Sequence, residues 1–174
     1  MTPETSEPRI RVKVVEPGEG REAELDGIGV QFKIDGGDTG GGLSIVEHVF
    51  AVGALVDPHV HTLEDEFSIV VEGQIGFRSE DQEVVLGAGG YIIKPRGEVH
   101  AMWNAGMTPA RMVEVISPAD LEDFFRSVAD MVEPGPPDFE AVASLADRYG
   151  VAFAQPDWLP DIISRYNLTP PPGP

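Results

Sequence analysis

The 174-residue chain contains no cysteine. Disulfides and thiolate metal sites are therefore excluded, and any bound metal must be held by imidazole and carboxylate groups. Bases are scarce, with 12 Lys and Arg against 30 Asp and Glu and a formal net charge of −18. With no basic stripe to meet phosphates, nucleic acid and anionic membrane surfaces are disfavoured as partners, and the charge reads as a hydrated, solubilising surface. No apolar run approaches the roughly 18 residues of a membrane span. The first eight residues lack the basic flank and apolar stretch of a secretory signal, so the expected location is cytoplasmic. Histidine is rare too, at four residues. What is present is an ordinary hydrophobic content of 41%, enough for one domain with a real core at this length.

Residues 1–8 are polar and read as a disordered lead. From 9 to 117, short β-favouring runs broken by Gly, Pro and Asp have the rhythm of an all-β sandwich or barrel. The strands expected are 10–15, 30–34, 43–52, 56–61, 66–71, 74–78, 83–86, 91–94, 99–103 and 110–116. Glu72-Gly73-Gln74 allows only a tight hairpin, and the glycine-rich stretch 36–42 lacks the Lys-Ser/Thr ending of a P-loop, so it reads as a flexible connection. The character changes at Ser117-Pro118, where Ser117 suits an N-cap and Pro118 a first helical position. Leu121, Phe124, Phe125, Val128 and Val132 then recur at helical spacing. A second helix is expected from Asp138, with Phe139, Val142, Leu145 and Tyr149 on one face and Gly150 as its stop. A short third runs from Asp157 to about Tyr166. The helical extension thus covers 118–168 and packs outside the barrel, on a partner or over the barrel mouth. Residues 169–174 form a disordered, proline-rich tail.

Three of the four histidines fall in two spaced motifs. The first is Gly53, five residues, His59-Val60-His61, four residues, Glu66, six residues, Gly73. The second is Gly89, five residues, Pro95-Arg96-Gly97, two residues, His100, three residues, Asn104. Alternate side chains of a strand share a face, so His59 and His61 point the same way. Glu66, from the next strand, and His100, from one well downstream, can meet them inside a closed barrel. Three neutral imidazoles and a carboxylate suit one divalent transition metal (Fe, Ni, Mn, Co or Zn) and leave positions for water or substrate. His48 and Glu98 are candidate supporting groups beside the ligands, although a structural strand residue and a rim charge are the plainer readings. Glu64 and Asp65 fit the spacing less well and read as a solvated turn. Asn104 reads as a turn residue. Arg78, Lys94, Arg96 and Arg111 are the bases nearest the motifs.

These motifs resemble those of the cupin superfamily, and the chain is similar to small single-domain bacterial cupins that include quercetinase-like dioxygenases. The resemblance implies a cupin barrel (a double-stranded β-helix, or jelly roll) with a C-terminal α-helical extension. It implies that His59, His61, Glu66 and His100 are metal ligands and that Glu66 has a catalytic part, accepting the proton of a bound substrate hydroxyl. The expected activity is a dioxygenase-type oxidation of a small chelating substrate, enolic or phenolic. Phe67, Ile69, Phe77, Met102, Trp103 and Met112 are available to line or support the cavity. A metal-assisted isomerase or decarboxylase and a non-catalytic small-molecule sensor stay open, because cupins of one motif do several things. A homodimer is expected, with residues 9–15 covering a sheet edge.

Overall fold

In the computed structural model of the protein, residues 10–25, 27–132 and 139–170 are described. The expected lead, the proline-rich break 134–137 and residues 171–174 of the tail lie outside them, as do the side chains of Val132 and Phe139.

Eleven strands form two antiparallel sheets among the described residues. The larger runs, in spatial order, through β1 (Arg21–Leu25), β2 (Ile28–Ile34), β3 (Ser44–Phe50), β10 (Ala110–Ser117), β5 (Asp65–Glu72) and β8 (Tyr91–Lys94). The smaller runs through β11 (Val151–Phe153), β4 (Leu55–His61), β9 (His100–Asn104), β6 (Gln74–Ser79) and β7 (Gln82–Gly87). The described residues also form four helices: α1 (Gly36–Thr39), α2 (Leu121–Val132), α3 (Phe139–Arg148) and α4 (Leu159–Tyr166).

Strict alternation builds the larger sheet. Ile28, Val30 and Phe32 of β2, and Ser44, Val46, His48 and Phe50 of β3, are buried while their neighbours are not. This inner face is covered in two parts. Between the sheets, Ile28, Phe50, Val70 and Met112 pack with Ile75, Phe77 and Met102. Further along the same face, Val30, Phe32, Val46 and Ile116 pack under Leu121 and Phe124 of α2 and Leu145 and Ala146 of α3. The extension is therefore not an outer layer over most of its length, because α2 and α3 cover inner face that the smaller sheet does not reach. Only α4 lies outside, where Leu159 and Ile162 cover Leu55, Ala101 and Trp103. Each such fully buried aliphatic side chain stabilises the fold by about 1.5–3 kcal/mol.

Several expectations change. Residues 10–16 pair with no strand among the described residues, and the edge strand is β1, which the sequence reading missed. The turn at Gly73 is no hairpin: β5 and β6 belong to different sheets, and the chain crosses over at a positive φ of 72°. A Cβ there would lie 2.7 Å from that of Ala110, so only glycine passes. Residues 36–39 form a helical turn, capped by the Asp38 carboxylate on the Asp35 N–H at 3.0 Å. Ser117 is no N-cap, because it still pairs with Asp65 at the end of β10 and donates its hydroxyl to the Gly42 carbonyl. The helix starts four residues later, where Glu122 accepts from the Asp120 and Gly36 N–H groups. Thr169, expected in the loose tail, is tied by its N–H to the Gly53 carbonyl at 2.9 Å.

Candidate metal centre

β4 carries His59 and His61, and its path is set by an irregularity. Val56 pairs with Met102 but His59 pairs with His100, so β4 advances three residues while β9 advances two. The extra residue, in the Asp57-Pro58 stretch, is a β-bulge that turns His59 and His61 inward although Leu55, of the same parity, faces α4. The His59 ring is then fixed by its Nδ1–H, which donates to the Asp57 carbonyl at 2.7 Å. β11 holds this strand from its other edge, pairing Val151 with His61 and Phe153 with His59. His100 repeats the device, donating Nδ1–H to the Glu98 carbonyl at 3.0 Å. In both rings the proton on Nδ1 leaves the Nε2 lone pair facing the interior.

The four side chains expected as ligands meet. One donor atom each from His59, His61, Glu66 and His100 lies within 4.8 Å of all the others, and all four residues are buried. His59 Nε2 is 2.9 Å from His61 Nε2, and Glu66 lies 3.4 Å from His61 and 3.3 Å from His100. These are the edge lengths expected of ligands placed about 2.0–2.1 Å from a shared ion. His100 Nε2 is buried with no hydrogen-bond partner, which suits an atom reserved for a cation, while Glu66 Oε2 is met by the Lys94 ammonium at 2.9 Å. The residues present fit a divalent metal.

The electrostatics agree. Burial first, then the neighbouring His100 and His61, hold His59 well below the ordinary imidazole range, and burial lowers His61 as well. Burial pushes Glu66 up, but Lys94, His61 and His100 together hold its carboxyl well below the usual range. The result is neutral His59 and His61 imidazoles beside the Glu66 carboxylate, the protonation states that bind metal.

Lys94 is the feature the sequence reading did not single out. Its ammonium is buried, 2.9 Å from Glu66 and 2.5 Å from Glu114. Glu114, fully buried on β10, also accepts from Ser68 Oγ at 2.7 Å and lies 3.3 Å from His48 Nε2. His48 thus touches the group behind the ligand, with its ring edge-on to Phe125 of α2. Two signals pointed this way. Glu114 shares the core parity of Met112 and Ile116, and Lys94 sits directly opposite Glu66 in the register of β5 and β8.

Glu98 does not join the cluster. Its carboxylate accepts from Ser79 Oγ, and its carbonyl rather than its side chain orients His100. Asp65 is not in the expected turn but opens β5, where the Arg96 guanidinium pairs with it and holds it down to about 2. Glu64 departs from the expected solvated turn: it is buried, and burial followed by the charge of Glu66 pushes it up to about 7. Asn104 is the structural residue expected, donating to the Phe50, Ala51 and Thr108 carbonyls. Of the six residues expected near the cavity, Phe77, Met102 and Met112 face the interior. Phe67 and Ile69 lie on the opposite face of β5, and Trp103 faces α4. A cavity of about 700 Å³, walled by residues of β6, β7 and β8 with Glu98, reaches His100 and Lys94.

Residues 46–116 match the family model described as Cupin domain. The fold is a cupin fold. Within it the chain is 38% identical over 77 residues to germin-like protein subfamily T member 2 of Arabidopsis thaliana, covering 41% of this chain and 35% of the relative. It is 35% identical over 82 residues to the tetracenomycin polyketide synthase protein TcmJ of Streptomyces glaucescens, covering 47% of this chain and 54% of the relative. The chain thus spans about a third and about half of these relatives' lengths. Among solved structures it is similar to KdgF from Halomonas sp., with TM-score 0.58 and 19% identity over 65% of this chain and 99% of that one. It is also similar to the polyketide cyclase RemF from Streptomyces resistomycificus, with TM-score 0.55 and 23% identity over 62% and 80%. Among the described residues, no helix is long and apolar enough to cross a membrane.

Proposed function

We propose that this cupin is a metal-dependent enzyme acting on a small enolic or phenolic substrate that can chelate the ion, by a dioxygenase-type oxidation. The observation that carries the reading is the buried convergence of three imidazole nitrogens and one ionised carboxylate beside a cavity of about 700 Å³, within the size range of small-molecule sites. His59, His61, Glu66 and His100 are the proposed ligands. A bound divalent ion (Fe, Ni, Mn, Co or Zn) would supply Lewis acidity, drawing charge from an enolate or phenolate, and a redox-active one would also let dioxygen react. The chain's own residues do the rest. The carbonyls of Asp57 and Glu98 fix two rings, and Lys94 holds Glu66 ionised. This makes Glu66 a firm ligand and a weaker base than the resemblance implied. Oxygen uptake with flavonols and enediols tests the proposal, with metal-loaded wild type compared with His59→Ala. Uptake by the wild type alone is expected, and equal uptake by both proteins contradicts it.

A second reading is an oxygen-independent cyclisation, isomerisation or decarboxylation at the same centre. It is favoured by the names of two relatives, a polyketide synthase protein and a polyketide cyclase. Polyketides are enolisable chelators, so the substrate class is shared and only the reaction differs. Turnover of such a substrate under strict anaerobiosis selects this reading over the first. Homodimerisation belongs to the proposal as well, supported by Tyr91 and Ile93 exposed on edge strand β8. Sedimentation at the monomer mass would remove it.

A further inference from the structure

The inner face of the larger sheet carries more charge than a four-ligand centre needs. Lys94 is 4% exposed and Glu114 wholly buried. Lys94 lies between Glu66 and Glu114, at 2.9 and 2.5 Å, and also touches Met102 Sδ at 3.5 Å. A single Glu66–Lys94 pair would already be neutral. Adding Glu114 leaves two carboxylates against one ammonium, so these three side chains together carry one net negative charge in the dry interior. Such a charge is costly unless something of opposite sign completes it. Glu114 is also firmly placed. Ser68 donates to it at 2.7 Å, His48 stands 3.3 Å from its second oxygen, and the His48 ring is set edge-on between Phe50 and Phe125.

We propose that Lys94 and Glu114 are positioning residues of the metal centre: Lys94 holds the carboxylate of Glu66, and Glu114 offsets the ammonium so that the pocket still attracts a dication. Neither is a ligand, and both act through Glu66. An ammonium one residue behind a metal ligand repels the incoming ion, and Glu114 cancels that repulsion at a fixed contact distance. The inference rests on the metal-centre reading of His59, His61, Glu66 and His100, and it adds the residues that set the affinity of that site.

Competition between the apo-protein and a chromophoric chelator for Co²⁺ and Zn²⁺ tests it. Glu114→Gln removes the offsetting charge and keeps the shape, and it should bind 10–100-fold more weakly, the scale on which groups behind metal ligands act. The paired change Lys94→Met with Glu114→Gln removes the ammonium as well, and it should recover most of the lost affinity, within about tenfold of wild type. A merely structural role for Glu114 predicts the reverse order, with the double variant the poorer binder. Glu114→Gln binding within threefold of wild type, or a double variant binding no more tightly than Glu114→Gln, overturns the inference. Should Glu114→Gln alone not fold, the double variant carries the test, since replacing a buried ion pair whole is often tolerated. Binding more than 100-fold weaker than wild type then overturns it. Wild-type protein that binds neither ion refutes the metal-centre reading and this inference together. Wild-type binding with either overturning result removes the inference alone.

Discussion

Gly76 is the position where one methyl group should do the most damage. It lies on β6 opposite Trp103 of β9, and a Cβ built on it would fall 2.1 Å from Cε2 and 2.4 Å from both Cζ2 and Nε1 of the indole. Ordinary carbon contacts are about 3.5 Å or more, so the ring must retreat by roughly 1.4 Å. It has nowhere to go: Trp103 is 0% exposed and lies under Leu159, Ile162 and Tyr166, the last with its ring centroid 5.2 Å away. Overpacking of a dense core costs about 1–3 kcal/mol and sometimes more, and this contact belongs at the upper end. About 3 kcal/mol corresponds to a fall of roughly 6–12 °C in Tm for a chain of this size. Thermal unfolding followed by circular dichroism measures it. The same substitution in a Trp103→Phe background, where the ring is smaller, should cost less than about 1 kcal/mol more than Trp103→Phe alone. A Gly76→Ala Tm within a degree of wild type, or an equal cost in both backgrounds, would refute the packing argument.

Other outcomes follow from the same geometry. Leu121→Ala removes a fully buried side chain between α2 and the inner sheet face and should destabilise by about 2–5 kcal/mol in denaturant titration. A loss under about 0.5 kcal/mol would mean that α2 does not cover that face. Glu64 is raised to about 7, so its contribution to stability is present below the carboxylate's ordinary 4.5 and is lost as pH rises through 7. Glu64→Gln should therefore raise Tm at pH 8 and leave it nearly unchanged at pH 5, whereas an equal gain at both would exclude this linkage. His59 and His61 are held below 6.5, so protons compete with metal only at lower pH. Chelator competition should show flat affinity from pH 8 to about 6.5 and weakening below, and a decline starting near pH 7.5 would contradict the depressed imidazoles.

The ligand set was legible because it rests on spacing. His59 and His61 share a face at an interval of two, and Glu66 and His100 stand at fixed distances inside motifs that a barrel brings together. Strand existence was legible in β3 and β10, where alternation ran for seven and eight residues. The remainder depends on contacts between distant segments. β11 is three residues long, too short for any periodicity, and it is a strand only because β4 offers it an edge. Residues 10–14 alternate Ile, Arg, Val, Lys, Val, a strand pattern, yet Ile10, Val12 and Val14 are exposed and the segment pairs with no strand among the described residues. Lys94 ends a short strand and reads as an exposed base until its pairing with Glu66 is known. Glu114 could have been suspected, since a carboxylate in the inward register of Ala110, Met112 and Ile116 needs a buried partner. The bulge before His59 was invisible, because parity alone would have set Leu55 and His59 on one face.

The central claim is that His59, His61, Glu66 and His100 hold one divalent ion. Elemental analysis of protein purified without added metal, beside His100→Ala prepared in the same way, tests it most directly. The structure predicts close to one transition-metal ion per wild-type chain and a small fraction of that in the variant, with both proteins folded. A folded wild type with no metal, or a variant with as much as the wild type, would contradict it.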